Sequence, residues 1–332
     1  MGSGRKDIDI KKEFLSKDWI NHPDDKFFKA VFSVTENAID YISKELPADV
    51  VNRLDFDTLK LEKESFIDEK LKDTFADLIY SVKLKSDKEI KISLLFEHKT
   101  KQSEDIYIQL LTYLLNFYKT KKKSKKLELI IPIIVYHGKK AWQRRDFSEY
   151  FNLGEEENIL KRFIPNFDYI LSDLPRYSDD ELHNKGFNRA ELEIALLLMK
   201  NKHDIKRLMN NLSKYLELIK PLLEKNEDYV ATAFIYLINT TNIDYKIIAK
   251  EFKKVSNKGG NLMMTTAQRL INEGMERGME RGMERGIAKG KLERDKMLVK
   301  NMISQGVEIE DISKFTGLSK EKIEKILNTV EQ

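Results

Sequence analysis

The sequence predicts an α/β core followed by a helical appendage and a C-terminal helical tail. Residues 22–136 show apolar patterns typical of helix, strand, strand, strand, helix and strand, in that order. Residues 188–255 keep a helical period throughout. Gly306 and Gly317 then divide the end of the chain into short helical stretches.

The first half of the predicted core is a helix and three strands. The helix opens at residues 22–25 (HPDD), where proline and acidic side chains suit a first turn, and its apolar period runs to Leu46. Residues 58–67 alternate as a first strand. The stretch Phe75–Lys99 contains two more strands separated by a polar turn at residues 85–89, which predicts a hairpin.

The second half of the core is a helix and a buried strand. Residues 104–118 are amphipathic, and residues 127–136 are almost continuously apolar, as in an interior parallel strand. Residues 163–171 are a candidate for a further strand, and residues 256–261 (SNKGGN) indicate a linker. We therefore expect five parts: a flexible N-terminus (1–20), the core (21–175), a helical domain (176–257), a repeat stalk (258–294) and a small helical segment (295–332).

Composition limits the class of protein. The chain has 332 residues, a net charge of +4 and 34% charged residues, so only local clusters of charge can argue for a nucleic-acid partner. It has no cysteine, which excludes disulfides, thiolate zinc sites and cysteine nucleophiles. No apolar signal core or membrane-length apolar run occurs, so we expect a cytoplasmic protein with no membrane partner.

Polar residues at the ends of the hairpin strands predict a metal site. Asp77 lies among apolar residues, where a carboxylate is costly unless it is used or paired. Glu97 and Lys99 are two apart near the end of the second strand, so both face the same way, and the hairpin brings them close to Asp77. Two carboxylates suit Mg²⁺ or another divalent cation, and the lysine could assist a metal-bound water. A surface hairpin with solvated polar ends is the alternative.

Two further features near this hairpin point to nucleic acid. Gln109 and Tyr113 share one face of the next helix, where Gln109 could link Lys99 to a phosphate. The segment 119–126 then carries six lysines, which would neutralise phosphates: Lys119, Lys121, Lys122, Lys123, Lys125 and Lys126. A boundary glutamine and a solvated loop explain these features about as well. His98 faces away from its two neighbours and is expected to be structural, whereas His137 could lie at the rim of a site.

The C-terminal part contains an internal repeat. GMER occurs at residues 274–277, 278–281 and 282–285, so Met275, Met279 and Met283 recur every four residues. Glycines between them allow close approach of another helix, and we interpret the repeat as a self-association stalk or a flexible linker. The final segment suggests short helices at about 295–304, 309–315 and 319–329, with Ser319 as an N-cap. It is either a helix-turn-helix, with Lys320, Lys322 and Lys325 facing DNA, or a helical hairpin for oligomer contacts.

Five segments, in order, carry a resemblance to a known family: HPDDKFFKAVF, ADLIYSVK, LLFEHKT, IYIQLLTYLLNF and IIPIIVYHGKKAW. Together they resemble the recombination-promoting nuclease (Rpn) / putative transposase family of bacteria, which belongs to the PD-(D/E)xK nuclease superfamily. The resemblance implies a restriction-endonuclease-like core, Asp77 and Glu97 as metal ligands, Lys99 as the catalytic lysine, and Gln109 and Tyr113 as an accessory motif. Many relatives carry glutamine where Lys99 stands, so the lysine here favours an active site.

The leading prediction is therefore a Mg²⁺-dependent DNA endonuclease that acts in recombination or mobile-element biology, with a homo-oligomer formed through the repeat. A catalytically silent DNA-binding or assembly protein on the same fold is the first alternative. A transposase is the second, and it would require strand transfer, which a hydrolytic site does not by itself imply.

Overall fold

The computed structural model describes residues 22–62, 78–86, 91–120 and 127–330, with the backbone alone at 91–97, 120 and 328–330. It is a mixed α/β protein in which helices predominate. The chain divides into two compact units, Met1–Thr266 and Ala267–Gln332. Across the described ranges, no helix is long and apolar enough to span a bilayer.

The first unit contains a mixed five-stranded sheet whose spatial order follows the sequence. The second strand pairs antiparallel with the first and with the third, whereas the third and fourth strands, and the fourth and fifth, pair in parallel. Parallel neighbours require a long crossover, which the helix Ile106–Thr120 supplies between the third and fourth strands. The strands are β1 Leu54–Leu61, β2 Leu78–Leu84, β3 Lys91–Lys99, β4 Leu129–Tyr136 and β5 Ile170–Asp173.

Strands β2, β3 and β4 lie where their sequence patterns predict them, whereas β5 begins later than predicted. The interior position of β4, between β3 and β5, confirms the buried strand predicted from its apolar run. The further strand predicted at 163–171 is instead β5, a few residues later, and Phe163 is 77% exposed at the end of a short 3₁₀ turn. Pro165, which cannot donate a ladder hydrogen bond, lies outside the strand.

Strand β1 begins at Leu54, four residues before the predicted start at 58. The register with β2 shifts between Asp55 and Lys60, so simple alternation fails within the strand. The buried Leu54 lies before that irregularity and Leu59 within it. The predicted end of this strand, residues 63–67, lies outside the described residues.

The first helical stretch forms two main helices, so the prediction of one continuous helix is wrong. Helices α1 (Pro23–Phe32) and α2 (Thr35–Glu45) are separated at Val34, whose backbone is extended. The buried Asn37 side chain stabilises this break because its Nδ2 donates to the Val31 carbonyl at 2.9 Å. A short helix, α3 (Ala48–Val51), follows Pro47.

Helix α4 (Ile106–Thr120) packs on the sheet through one face. Ile106, Leu110, Tyr113 and Phe117 recur at helical spacing and join a buried cluster with Ile134 of β4. Only a short loop connects β3 to α4, so the helix begins near the carboxyl end of β3. The packing of its buried face then fixes its position on the sheet.

The remaining helices of the first unit pack partly on α1 and α2. The Tyr236 ring stacks on Phe27 with centroids 4.1 Å apart. These helices are α5 Glu157–Leu160, α6 Asp179–Asn184, α7 Ala190–Asn201, α8 Ile205–Ile219, α9 Leu222–Lys225, α10 Glu227–Thr240 and α11 Tyr245–Val255. The helical region and the sheet therefore belong to one compact unit.

The linker interpretation of residues 256–261 is wrong, because helix α12 (Asn257–Ser304) begins there. The Ser256 hydroxyl caps its start by accepting from the Gly259 N–H at 3.2 Å. A Cβ at Gly260 would lie 2.6 Å from the Lys253 Cβ. Glycine here serves close packing of the helix start instead of flexibility.

The second unit ends in two of the three short helices that the sequence predicts, whereas the one predicted at about 295–304 is the end of the long helix α12. Helices α13 (Ile309–Thr316) and α14 (Lys320–Val330) follow left-handed glycines, with φ of 78° at Gly306 and 70° at Gly317. The Ser319 hydroxyl accepts from the Lys322 N–H at 3.3 Å, as predicted for an N-cap. Their buried side chains meet the end of α12 in a small cluster: Val299, Ile312, Ile323 and Ile326.

We expect Asp40→Ala to lower the free energy of unfolding by about 1–3 kcal/mol. Asp40 accepts from Asn188 Nδ2 at 3.0 Å and from the Arg189 N–H at 2.9 Å, so the change leaves two donors without their acceptor. Urea unfolding measures the loss, and Asp49→Ala, at an exposed position of α3, is the matched control. Equal stability of the two variants would contradict this role for Asp40.

Candidate functional site

Of the two predicted metal-binding carboxylates, neither has a described side chain. Asp77 is outside the described residues, and Glu97 is described by its backbone alone. Leu78, which follows Asp77, pairs with Phe96, which precedes Glu97. The Glu97 backbone pairs on its other side with Ile134 of β4.

Lys99, the last residue of β3, contacts Gln109 across the start of α4. Its Nζ donates to Gln109 Oε1 at 3.2 Å. The Gln109 amide nitrogen donates to Ser103 Oγ at 2.7 Å and to Asp105 Oδ1 at 2.6 Å. Since the NH₂ group is occupied by two acceptors, the amide oxygen is held toward the lysine.

The Asp105 carboxylate is the acceptor shared by Ser103 and Gln109 in this arrangement. The Ser103 hydroxyl donates to Asp105 Oδ1 at 2.6 Å, and this bond is the main reason that the pKa of Asp105 is lowered, with smaller contributions from Gln109 and Lys99. The carboxylate therefore stays ionised at neutral pH and holds Gln109 in place. Sequence reasoning missed Ser103 and Asp105, which lie in an ordinary polar loop.

Of the predicted DNA-binding residues, the structure describes Tyr113 and Lys119, and neither is placed beside Lys99. Tyr113 is 4% exposed and packs in the core cluster beneath α4, so its ring does not face solvent. Lys119 is exposed, but it lies ten residues beyond Gln109 on α4, which is about 15 Å along the helix axis. Lys121, Lys122, Lys123, Lys125 and Lys126 lie outside the described residues.

His98 belongs to a second polar cluster, which includes α1. Its Nε2 lies 3.7 Å from Asp25 Oδ1, and its Nδ1 lies 3.3 Å from Nε2 of the fully buried His137. His203 Nε2 lies 3.1 Å from the carbonyl oxygen of His137. The expected structural role for His98 fits these contacts.

This cluster extends to an ion pair between distant parts of the chain. Lys202, whose side chain is 4% exposed, pairs with Asp24, and the Tyr236 hydroxyl donates to the same carboxylate at 2.8 Å. Burial is the main cause that lowers the pKa of Lys202, and Asp24 opposes that change. Sequence reasoning missed these residues, because nothing in the local patterns around positions 24, 202 and 236 indicates that they meet.

Burial keeps His137 neutral. Desolvation, together with Lys202, His98 and His203 nearby, lowers the pKa of His137 well below its usual value. The His137 backbone also contacts the candidate site, since its N–H donates to the Lys99 carbonyl oxygen at 2.9 Å. The two clusters therefore share the carboxyl ends of β3 and β4.

The described side chains do not by themselves form a metal centre. Within them, no group of three or more histidine, aspartate or glutamate side chains is placed to hold a metal ion. Asp77 and Glu97 could contribute to a metal site at this end of the sheet, since their carboxylate oxygens are of the type that Mg²⁺ prefers.

Fold and site define a mixed α/β protein with a lysine–glutamine pair where the sheet turns from antiparallel to parallel. The chain belongs to the family described as putative transposase, YhgA-like, whose model matches residues 22–229. The matched residues include the whole sheet and the helices up to the start of α10.

Three Escherichia coli K12 relatives match nearly the whole chain. The recombination-promoting nuclease RpnA is 25% identical over 93% of this chain and 98% of its own length. The recombination-promoting nuclease RpnC is 25% identical over the same shares. A protein named inactive recombination-promoting nuclease-like protein RpnE is 24% identical over 92% of this chain and 97% of its own. No solved structure matches the chain.

We expect the unfolding free energy to fall as the pH drops below about 6.5, partly because of His137. Because the pKa of His137 is lowered in the folded protein, the unfolded chain binds a proton at this position in a pH range where the folded protein does not. His137→Gln should reduce this loss, measured by urea unfolding at about pH 7.5 and about pH 5.5. His22→Gln, at an exposed position, is the control. An unchanged pH dependence in His137→Gln would contradict this assignment.

Proposed function

We propose that the protein is a divalent-metal-dependent DNA nuclease, with a restriction-endonuclease-like PD-(D/E)xK core, that acts in DNA recombination. The observation that carries the proposal is the hydrogen bond between Lys99 and Gln109 at the carboxyl end of β3. Further support comes from the names of the relatives RpnA and RpnC, which are recombination-promoting nucleases.

Asp77 and Glu97 are the proposed metal ligands. Leu78 and Phe96 are paired across β2 and β3, and each is the chain neighbour of one of these acids, so the antiparallel register favours their approach. Their carboxylates suit Mg²⁺ in donor type. When bound, such an ion lowers the pKa of a water and offsets charge on a phosphodiester.

The chain's own residues have distinct roles in this proposal. Lys99 is the cation that stabilises charge developing on the scissile phosphate or orients the attacking water. Gln109 is a positioning residue, because its amide oxygen restricts the Lys99 ammonium and is itself held through Ser103 and Asp105. Such preorganisation is effective because the groups need not reorient during the reaction.

Asp77→Asn and Glu97→Gln should each reduce plasmid cleavage by at least about a hundredfold, because each removes a proposed metal ligand. EDTA should abolish cleavage by the unchanged protein, and added Mg²⁺ should restore it. Cleavage is followed as conversion of supercoiled plasmid to nicked and linear forms. Wild-type rates in either variant would refute the assignment of the carboxylates.

The lysine has a matched control two residues away. Lys99→Ala should lower the cleavage rate by about a hundredfold or more, whereas Lys101→Ala, at an exposed position with the same charge change, should not. Equal effects of the two substitutions would mean that only general charge near this loop matters.

A catalytically silent DNA-binding or assembly protein is the second candidate, favoured by the relative named inactive. EDTA distinguishes the two, since a binder still shifts DNA but shows no metal-restored cleavage. The word transposase in the family description raises strand transfer as a third candidate, for which joined DNA products are the test.

We also propose that the GMER repeat in α12 mediates homo-oligomer formation. Met275, Met279 and Met283 are 70%, 77% and 68% exposed, so their apolar surface is not buried within one chain. A Cβ at the intervening Gly278 and Gly282 would meet nothing within 4 Å, which leaves room for a second helix to approach closely. A second copy offers the same apolar stripe and therefore a self-complementary partner.

The triple change of Met275, Met279 and Met283 to glutamine should lower the mass in solution toward the 39.0 kDa of one chain. Light scattering after size exclusion measures it. The control changes Glu276, Glu280 and Glu284 of the same helix to glutamine and should keep the larger mass. The repeat has no such role if the unchanged protein is already a single chain, or if both triple variants dissociate equally.

A further inference from the structure

A basic cleft opens beside the carboxyl end of β4. It has a volume of about 530 Å³ and is bounded by Gly138 and Lys139 after β4, and by the start of α8. Cationic side chains at its edge are Lys139, Lys200, Lys206 and Arg207, against the single carboxylate of Asp204. Its size lies in the range of clefts that bind ligands in proteins, and its charge favours an anion.

One wall of the cleft is joined to the candidate active site through the backbone. Its wall residue Gly138 directly follows His137, whose N–H donates to the Lys99 carbonyl oxygen at 2.9 Å. On the other wall, His203 Nε2 lies 3.1 Å from the His137 carbonyl oxygen. A ligand in the cleft would therefore lie at the same end of the sheet as Lys99.

Two of the four cations share one carboxylate partner inside the protein. Asp179 accepts from Lys200 and from Arg207, the latter at 2.9 Å, so these side chains are held in place. Lys139 and Lys206 are exposed, and no carboxylate in the described part of the chain pairs with either of them. These two lysines supply the charge that is free to meet a ligand.

The remaining groups shape the cleft and add no further positive charge. The Asp204 carboxylate caps α8 by accepting from the Arg207 N–H at 3.0 Å, so the helix start is already satisfied. Burial, with Lys202 and Lys139 nearby, lowers the pKa of His203. Gly138 has no space for a side chain, because a Cβ there would lie 2.2 Å from the Tyr136 hydroxyl. Two exposed ammonium groups beside a wall of bare backbone suit the phosphates of a polymer more than a small charged ligand held on all sides.

We propose that this cleft binds the phosphodiester backbone of the DNA substrate, with Lys139 and Lys206 as the phosphate contacts. The identity of the ligand as DNA rests on the proposed nuclease function. The cleft lies at the end of the sheet that carries Lys99, whereas Lys119 lies about 15 Å along α4 from Gln109. The cleft is therefore better placed than Lys119 for a contact with the DNA backbone near Lys99.

Binding is measured by fluorescence anisotropy with a labelled duplex of about three helical turns, in EDTA, at several salt concentrations. The double variant Lys139→Gln/Lys206→Gln should bind at least about fivefold more weakly and should reduce the slope of log K against log salt by about 1.8, or about 0.9 for each phosphate contact. The charge-preserving Lys139→Arg/Lys206→Arg variant should bind as the unchanged protein does.

The matched control is Lys225→Gln/Lys246→Gln, two exposed lysines outside the cleft, and it should leave the slope unchanged. A wild-type affinity and slope in the Lys139→Gln/Lys206→Gln protein would overturn the proposal, as would equal losses in the control. A urea midpoint for each variant shows that it is folded.

The failure of this inference is distinguishable from failure of the nuclease assignment. If the unchanged protein cuts plasmid but the cleft variant binds normally, the cleft is wrong and the nuclease stands. If no metal-dependent cleavage occurs but the cleft variant loses affinity and slope, the cleft stands on a silent DNA-binding protein.

Discussion

The parallel pairing of β3 with β4 is the constraint on which the candidate site depends. Parallel neighbours cannot be joined by a tight turn, so the chain must cross the sheet through α4 before it re-enters as β4. The helix begins soon after β3 ends, and its buried face fixes its rotation on the sheet. Gln109 is therefore brought beside Lys99 by topology, and the 3.2 Å hydrogen bond follows from it.

The alternation of side chains along β3 divides its end into two chemically different sides. Lys99 contacts α4, where the exposed Asp105 carboxylate sustains a charged network. His98 contacts α1 and the buried His137, where desolvation disfavours charge. The Lys99 side thus suits electrostatic chemistry, while the His98 side joins the strand to the helices around it.

Local patterns were sufficient for the elements that bury one regular face. The hairpin, α4 and β4 follow from their apolar periods, and Gly306 and Gly317 mark the turns that they form. Local patterns failed where tertiary packing determines the backbone conformation. The break before α2 depends on the Asn37 side chain, and at residues 256–261 close packing favours a helix. At the site, Lys99 and Gln109 were predictable from their spacing, whereas Lys139 and Lys206 become neighbours only through the fold.

The helical region is part of the site's architecture because the segment between α7 and α8 packs against α1 and against the end of β4. The Lys202 ammonium is almost fully buried, which is costly unless a counter-ion is present, and Asp24 on α1 provides it. Removing either partner would leave the other charge poorly compensated, so the pair favours the one arrangement in which α1 and the turn before α8 meet. That arrangement also places His203 against His137 and forms one wall of the basic cleft. The ion pair thereby specifies geometry more than it adds stability.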